Sequence, residues 1–484
     1  MKQIKIAGKL SFYTFLAFLF FSLLSFLGFL YSNVETVGFF LFIILAVILT
    51  FWKLEYGIFL VLFEMFIGFD GHLFEFKNLS VRLALFVIVM TIWFFKKIIK
   101  KERFVFVKTN LFKPFAFLVF FVFLGSWLGL IKGNNQSLIF ADTSSWLFLF
   151  LIFPLFEVIK DKKNIQRMFQ MLSGAIAGVG TLTIFSLILF NTGLEIWGGP
   201  FYTWVRKYAL GKIVHVQSGF FRVMFSSQLL VLFYFLIILA LLSSSDKFIE
   251  KRWLIFLSLL SGAVIIIRYT RIFWIAVAVA FLFLCLKLEM SRKRKFIFAF
   301  LVIIILLLEA LTIFSLCSRG KAGLSLATQR IETIVKPEEE ISSQSRLELL
   351  SPIILKIKKY PILGSGLGTK VSYFDPQIQK IKTTPHLDWG YLEIWTELGI
   401  FGFLVYLWFF SSLCWQGWKV IKKTKGFYRR LTLGLLSGLV GLAVTGLTGP
   451  FIFYPLGILY LLLCGVIFDN FSKKQINEFI NHHR

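Results

Sequence analysis

The chain is predicted to be an all-α polytopic membrane protein of about 12–14 transmembrane helices with a large helical loop on one face, and three observations carry that reading. Apolar runs of spanning length recur from end to end. Basic residues gather in alternate connections between them. The 484 residues are 58% hydrophobic and 18% aromatic, with a mean hydropathy of +0.82, far outside the range of a soluble domain. The bilayer therefore sets the structural unit, and soluble-domain sizes do not apply.

The first run, "MKQIKIAGKLSFYTFLAFLFFSLLSFLGFL", has the lysines and apolar stretch of a secretory signal. It lacks a small-residue cleavage site and is long enough to span, so it reads as the first helix, retained in the mature protein. Further runs follow near 37–52, 55–69, 81–95, 114–131, 143–157, 169–190, 221–243, 252–267, 272–288, 296–316, 391–413, 431–447 and 451–468. The stretch 252–288 must fold as a hairpin, because one helix of that length would overrun the hydrocarbon core.

Charge sets the orientation. "KKIIKKERFVFVKTNLFK" (96–113) carries seven basic residues against one acid, and "KVIKKTKGFYRR" (419–430) six against none. The connections 159–167, 246–252 and 287–295 also lean basic, and all of these fall on the side of the N-terminus, which the positive-inside rule makes cytoplasmic. Both termini are then inside, as expected of a multi-pass protein of the bacterial cytoplasmic membrane. The opposite face receives a first larger loop at 191–220 and a cap at 317–390, within one transmembrane domain of residues 1–484. The cap holds eleven basic residues, but loops beyond about 60 residues cross largely regardless of charge. Within it "SRLELLSPIILKIKKY" (345–360) places Leu347, Leu350, Ile354 and Ile357 near helical spacing, with Ser351 and Pro352 positioned to cap and open a second short helix. Such a helix suits either the membrane interface or packing on the bundle.

The formal charge of +27 reflects topology rather than nucleic-acid binding, since no soluble basic domain exists to hold a nucleic acid. Four scattered cysteines form neither a disulfide framework nor a metal-ligand spacing, and no metal or other cofactor is expected.

Charges at the non-basic face ask for partners. Arg268 and Arg271 flank the tight turn in "IIIRYTRIFW", Arg222 stands in "SGFFRVMFSS" at the predicted mouth of a span, and Arg346 lies in the cap. Snorkelling, or pairing with Glu393 and Glu397, accounts for any one arginine; recurrence in separate segments points instead to a guanidinium cluster for a bidentate oxyanion such as pyrophosphate. In "TTPHLDWGYLEIWTELGIFG", His386 and Asp388 precede an apolar helix, where a base can meet a sugar hydroxyl. His386 also reads as an ordinary loop histidine and Asp388 as a helix cap. Glu397 reads as a salt-bridge partner for an arginine. Gly364 and Gly366 in "YPILGSGLGTKV" make a flexible turn through which backbone can approach a ligand, not a dinucleotide fingerprint, because no buried strand precedes them.

Taken in order, "FFRVMFSS", "YTRIFW", "SRLELLSPIILKIKKYPILGSGLG" and "HLDWGYLEIWTELGIFG" resemble segments of the O-antigen ligase and O-antigen polymerase family of bacterial surface-polysaccharide enzymes. The resemblance covers roughly 219–410 and includes Pro361, Gly364, Gly366, Tyr391, Leu392, Glu397, Gly399 and Gly402. One departure concerns the family's histidine, which stands eleven residues before the first glycine of Gly-x-x-Gly. Here that position is Asp388, with His386 two residues upstream. Either residue can serve as the base; His386 titrates closer to neutral pH, and Asp388 needs its pKa raised by burial.

The resemblance implies a GT-C-like architecture and a donor glycan on undecaprenyl pyrophosphate. The acceptor is a growing glycan for a polymerase, and lipid A–core or another molecule for a ligase; a chain-length regulator is a further expected partner beside the lipid bilayer. The residues imply metal-independent inverting transfer: Arg222, Arg268, Arg271 and Arg346 hold the pyrophosphate, His386 or Asp388 activates the acceptor, and Tyr391, Glu397, Gly364 and Gly366 support them. O-antigen or capsule polymerisation is favoured over ligation in lipopolysaccharide and cell-envelope synthesis, as the activity needed in more kinds of bacteria. A lipid-linked glycan flippase is the rival of another class, but transporters place polar groups near the midplane, whereas these lie at one face.

Overall fold

A computed structural model describes residues 5–482 except for 78, 193, 195–197, 209, 217–219, 244–250, 289, 318–331, 333–340 and 377. Much of the first part of the predicted cap, 318–340, thus lies outside the described residues. The remainder is an all-α membrane protein. Its helices are α1 (Lys9–Leu30), α2 (Ser32–Trp52), α3 (Leu54–Ile67), α4 (Val81–Lys100), α5 (Phe112–Ile131) and α6 (Gln136–Leu147), which continues through a 3-10 turn into α7 (Ile152–Val158). Next come α8 (Lys162–Asn191), α9 (Pro200–Lys207), α10 (Gln228–Leu242), α11 (Lys251–Ile267), α12 (Arg271–Lys287) and α13 (Met290–Cys317). The last four are α14 (Ile341–Lys359), α15 (Gly390–Lys423), α16 (Gly426–Thr445) and α17 (Pro455–His482). Three antiparallel hairpins interrupt them: β1 (Glu75–Phe76) with β2 (Leu79–Ser80), β3 (Gly211–Val216) with β4 (Phe220–Phe225), and β5 (Val371–Asp375) with β6 (Lys380–Thr384). Among the described residues eight segments are long and apolar enough to cross a membrane: α1, α2, α5, α6 with α7, α8, α15, α16 and the first nineteen residues of α17.

All the predicted apolar runs lie at least partly on helices, and two expectations are corrected. The run at 221–243 begins as β4, not as a helix. Val223 and Phe225 are buried while Arg222 and Met224 are only half-buried, a period of two that a strand satisfies and a helix does not. Arg222 therefore sits on a hairpin opposite Val214 rather than at the mouth of a span. The second correction is Pro352, which opens no new helix: α14 runs straight through it. The face of α14 that packs is Leu349, Ile353 and Ile357, against Val371 and Leu387, while Leu347 and Ile354 are exposed. One apolar face of the segment is thus packed within the cap, and another lies open beside Lys356, Lys358 and Lys359.

The bundle is layered by composition. α10 is apolar almost all round, and every residue from Gln228 to Leu241 is buried, as a central helix requires. α1 and α2 are apolar too, but Phe12, Phe20, Leu23, Leu41, Ile44 and Ile48 stay exposed, the faces expected to meet lipid tails. At the end of the bundle carrying the basic connections, Lys97 pairs with Glu102 at 2.8 Å and Glu157 at 3.0 Å. At the opposite end, here the cap end, Arg82 Nε donates to Glu64 at 2.8 Å with both side chains almost wholly buried.

A buried pair loses far more when one partner is removed than when both are. Arg82→Leu is expected to lower stability by about 3–5 kcal/mol, read as a fall in the unfolding midpoint of the detergent-solubilised protein. Glu64→Leu/Arg82→Leu is expected to recover most of that loss. A double variant no better than the single would show that the pair is not what holds α3 to α4.

Candidate active site

The site is organised around a break in α15. At Gly399 the backbone takes φ 71° and ψ −179°, a region essentially restricted to glycine. The break frees the carbonyls of Thr396 and Glu397, and the loop 361–369 satisfies them: Ser365 N donates to Thr396 O at 2.7 Å and Gly366 N to Glu397 O at 3.0 Å. Ile400 N, beyond the break, donates to Pro361 O at 3.0 Å. A Cβ at Gly399 would run into the Ile362 carbonyl, and one at Gly364 into the Glu397 carbonyl. The loop is fixed from behind by α5 and its end: Leu367 N donates to Gly125 O at 2.9 Å, Asn134 Nδ2 to Leu367 O at 2.8 Å and Lys132 Nζ to Gly364 O at 2.5 Å. The Pro-x-x-Gly-x-Gly and Gly-x-x-Gly stretches are the two sides of one backbone joint. Gly364 lets the broken helix approach, and Gly366 lets α5 approach at Gly129.

The joint positions carboxyls. Gly368 N donates to Asp142 Oδ2 at 2.8 Å, and the Asp142 carboxyl lies beside that of Glu397. Glu397 thus faces Asp142 rather than the arginine partner expected from the sequence. One turn earlier, buried Glu393 accepts from Leu387 N at 3.3 Å through Oε2 and lies within electrostatic reach of Asp142 and Asp388.

His386 and Asp388 lie in the short connection from β6 to α15, both exposed, with buried Leu387 between them anchored in the cap. The Thr384 hydroxyl accepts from His386 N at 3.1 Å and donates to His386 O at 3.2 Å, so the turn is held locally. Asp388 has φ 54°, a left-handed conformation that aspartate tolerates better than most residues. Beside it, Trp389 Nε1 donates to the Arg346 carbonyl at 3.1 Å, tying α14 to the start of α15. His386 is within electrostatic reach of Asp142, and Asp388 of Glu393 and Tyr373. Burial pushes the Tyr373 hydroxyl up to about 12, helped by the charge of Asp375 and by its hydrogen bond to that carboxylate at 3.2 Å. Tyr391 donates to Ala443 O at 2.9 Å, a helix-packing contact behind the site.

The arginines divide. Arg222 and Arg268 are close enough to repel, and Arg222 Nη2 reaches Thr270 Oγ1 at 3.4 Å in the turn between α11 and α12. Arg268 Nη1 donates to Phe225 O at 2.8 Å and to Gln228 Oε1 at 2.7 Å, and its guanidinium lies over the Phe273 ring at 4.2 Å. Burial, then the charge of Arg222, pulls its pKa down to about 9, which leaves it cationic at neutral pH. Its Nε has no hydrogen-bond partner among the described residues. Arg271 opens α12, half-buried, on the same turn. Arg346 belongs with Trp389 on the other side, among the cap residues, not with these three.

Three residues absent from the sequence reading complete the site. Asp142 is one. Asp70, after α3, accepts from Ser226 Oγ at 2.6 Å; crowding by protein lifts its pKa against the pull of Ser226, Arg82 and His72. Tyr454, just before α17, lies within reach of the charges of Glu393, Asp70, Asp142 and Asp388, and burial raises its hydroxyl. It is thus within electrostatic reach both of Asp70, which neighbours Arg268, and of the acids near His386. Isolated acids at the ends of apolar runs, in "FIGFDGH" and "FADTSSW", were the only signal in the sequence.

Compared with family models, residues 256–407 match that of the O-antigen ligases. The matched segment contains Arg268, Arg271, Arg346, the whole glycine joint, His386, Asp388 and Glu397, but not Arg222, Asp70, Asp142 or Tyr454. A comparison with curated proteins found no match. The match supports assignment to the O-antigen ligase and polymerase family, and with it a membrane glycosyltransferase of that type.

If the joint organises the site, Gly399→Ala should destabilise locally by at least about 1–3 kcal/mol, the typical strain of such a backbone in a residue with a Cβ. The expected readout is lower monodisperse yield and faster proteolysis between 359 and 371 in purified protein. An unchanged digestion pattern would show that the loop and the helix break are independent.

Proposed function

We propose that this chain transfers a glycan from undecaprenyl pyrophosphate to an acceptor hydroxyl, at the cap end, outside the cytoplasmic membrane, with both termini inside. The observation that supports the reading is two separate groups, Arg222, Arg268 and Arg271 around the turn between α11 and α12, and His386, Asp388, Asp142, Glu393 and Glu397 about the start of α15.

In this mechanism the acceptor oxygen attacks the anomeric carbon from the histidine side, and the bond from that carbon to the pyrophosphate oxygen breaks on the arginine side. The electron pair leaves with the pyrophosphate, where fixed guanidinium groups stabilise the growing charge. They take the part a divalent cation plays in other glycosyl transfers. Attack opposite to departure inverts the anomeric centre. The acceptor proton passes to His386 or Asp388. Asp142, within electrostatic reach of His386, would support the imidazolium that forms there. In this reading Arg346 and Tyr373, on the cap, take the sugar rather than the phosphate.

Polymerisation and ligation share these steps and differ in acceptor. Deleting the gene in its parent organism separates them, read on a gel of surface polysaccharide and by mass measurement of the undecaprenyl-linked pool. Single repeat units on the surface acceptor are expected for a polymerase, and long polymer stranded on the carrier for a ligase. An unchanged ladder and pool would overturn the glycosyltransferase reading in favour of a transporter. Complementation with His386→Ala or Asp388→Asn identifies the base as the variant that fails to restore the ladder.

Arg268→Lys keeps one charge but loses the planar fork that binds Phe225 O, Gln228 and an oxyanion together. It is expected to lower turnover in a reconstituted assay by on the order of a hundredfold, with the apparent affinity for acceptor unchanged. A loss confined to acceptor affinity would place Arg268 on the wrong substrate.

A further inference from the structure

Gln228 is the first residue of α10, a helix otherwise made almost entirely of apolar side chains, and it is 1% exposed. A primary amide in such a place is costly unless its groups are paired. Both ends of this one are. Its Nε2 donates to Thr183 Oγ1 on α8 at 3.1 Å, and its Oε1 accepts from Arg268 Nη1 at 2.7 Å. Thr183, wholly buried, gives its only hydroxyl proton to Val179 O at 2.7 Å, so towards Gln228 it can only accept. The amide therefore has one satisfactory orientation. Turned over, it would set two acceptors against each other at Thr183 and two donors at Arg268.

This chain of donors ends on one nitrogen of Arg268. Nη1 has two N–H groups, and the second donates to the carbonyl of Phe225, the last residue of β4, at 2.8 Å. Nη1 is thereby saturated inside the protein, and Cζ lies 4.2 Å from the centre of the Phe273 ring, which sets the guanidinium plane. What remains is the opposite edge. Among the described residues buried Nε has no hydrogen-bond partner, and Nη2 makes no hydrogen bond. Nε–H and one Nη2–H point the same way, the side-on fork that grips two oxygens of one anion. An N–H left unpaired on so buried an arginine is strongly unfavourable until such an anion takes it.

We infer that Gln228, fixed by Thr183, is a positioning residue that turns Arg268 so that its Nε–Nη2 edge meets two oxygens of one phosphate group. The ligand is the pyrophosphate of the function proposed above, on which this role rests. Thr183 and Gln228 lie outside the matched segment 256–407 and reach the arginine from α8 and α10.

The test is a double-mutant cycle on the full-length protein in detergent. It is read by the dissociation constant for undecaprenyl pyrophosphate and by turnover of a donor glycan on that carrier. Gln228→Leu and Thr183→Val are each expected to weaken binding about tenfold and to lower turnover at least as much, with the apparent affinity for acceptor unchanged. Thr183→Ser keeps the hydroxyl and is expected to behave as wild type. In an Arg268→Lys background, where the fork is gone, Gln228→Leu is expected to cause no further loss. Equal losses with and without Arg268→Lys would overturn the role, because a merely structural glutamine acts independently of the fork. A Thr183→Ser variant as impaired as Thr183→Val would overturn it too. Wild-type binding and turnover in both Gln228→Leu and Thr183→Val would overturn the role and leave the transfer reading standing. Binding in the expected pattern without transfer by wild type would sink the transfer reading and uphold the role, whereas no binding by wild type would sink both. Thr183→Val is isosteric and carries the cycle should Gln228→Leu fold poorly.

Discussion

The backbone joint at Gly399 is the constraint on which the candidate site depends. A helix interrupted inside a membrane protein must return its freed carbonyls to some donor, because unpaired groups there are strongly unfavourable. Here the donors are the Ser365 and Gly366 amides, so breaking α15 and docking the cap are one event. The same loop hands Gly368 N to Asp142, which brings α6 against Glu397. Each carboxyl on the histidine side is therefore placed by main-chain geometry. The glycines matter because any Cβ at Gly364 or Gly399 would occupy space already filled by a carbonyl.

Electrostatic separation is the second theme. Arg222 and Arg268 lie near each other with Asp70 as the nearby acid, while Asp142, Glu393, Glu397 and Asp388 gather about the start of α15. Mixed without spacing, these groups would neutralise one another in salt bridges and bind nothing. Tyr454, whose hydroxyl is raised by burial, lies within electrostatic reach of both Asp70 and the acids of the second group. A cationic group and an acidic group kept apart suit the proposed substrate, which changes from sugar to phosphate across one bond.

Much of this architecture was legible from the chain. Length and apolar content located the helices because the bilayer permits few other structures. The cap's glycine and histidine stretches were legible as motifs, but their meaning was not: 361–369 reads as a ligand loop until Gly399 is seen in contact with it. β4 was missed because phenylalanine-rich alternation resembles the start of a span, and only the burial of Val223 and Phe225 tells them apart. Pro352 gave a breaking signal that packing of Leu349, Ile353 and Ile357 overrode. Asp70, Asp142 and Tyr454 left almost no trace, since their partners at 226, 368 and 388 are far away in sequence and a lone acid at a helix end is common.

The cap packs on a small core of its own, Leu349, Ile353, Ile357, Val371 and Leu387, separate from the cluster that fills the bundle. It meets the bundle through main-chain contacts of the loop 361–369, through Leu367 in the bundle core, and through Trp389, Leu392 and Trp395, which pack on the cap. Such a part can be rewritten at its surface without disturbing the machinery beneath it. Residues on the cap's outer face can therefore be exchanged while the backbone joint that places Asp142 and Glu397 keeps its geometry.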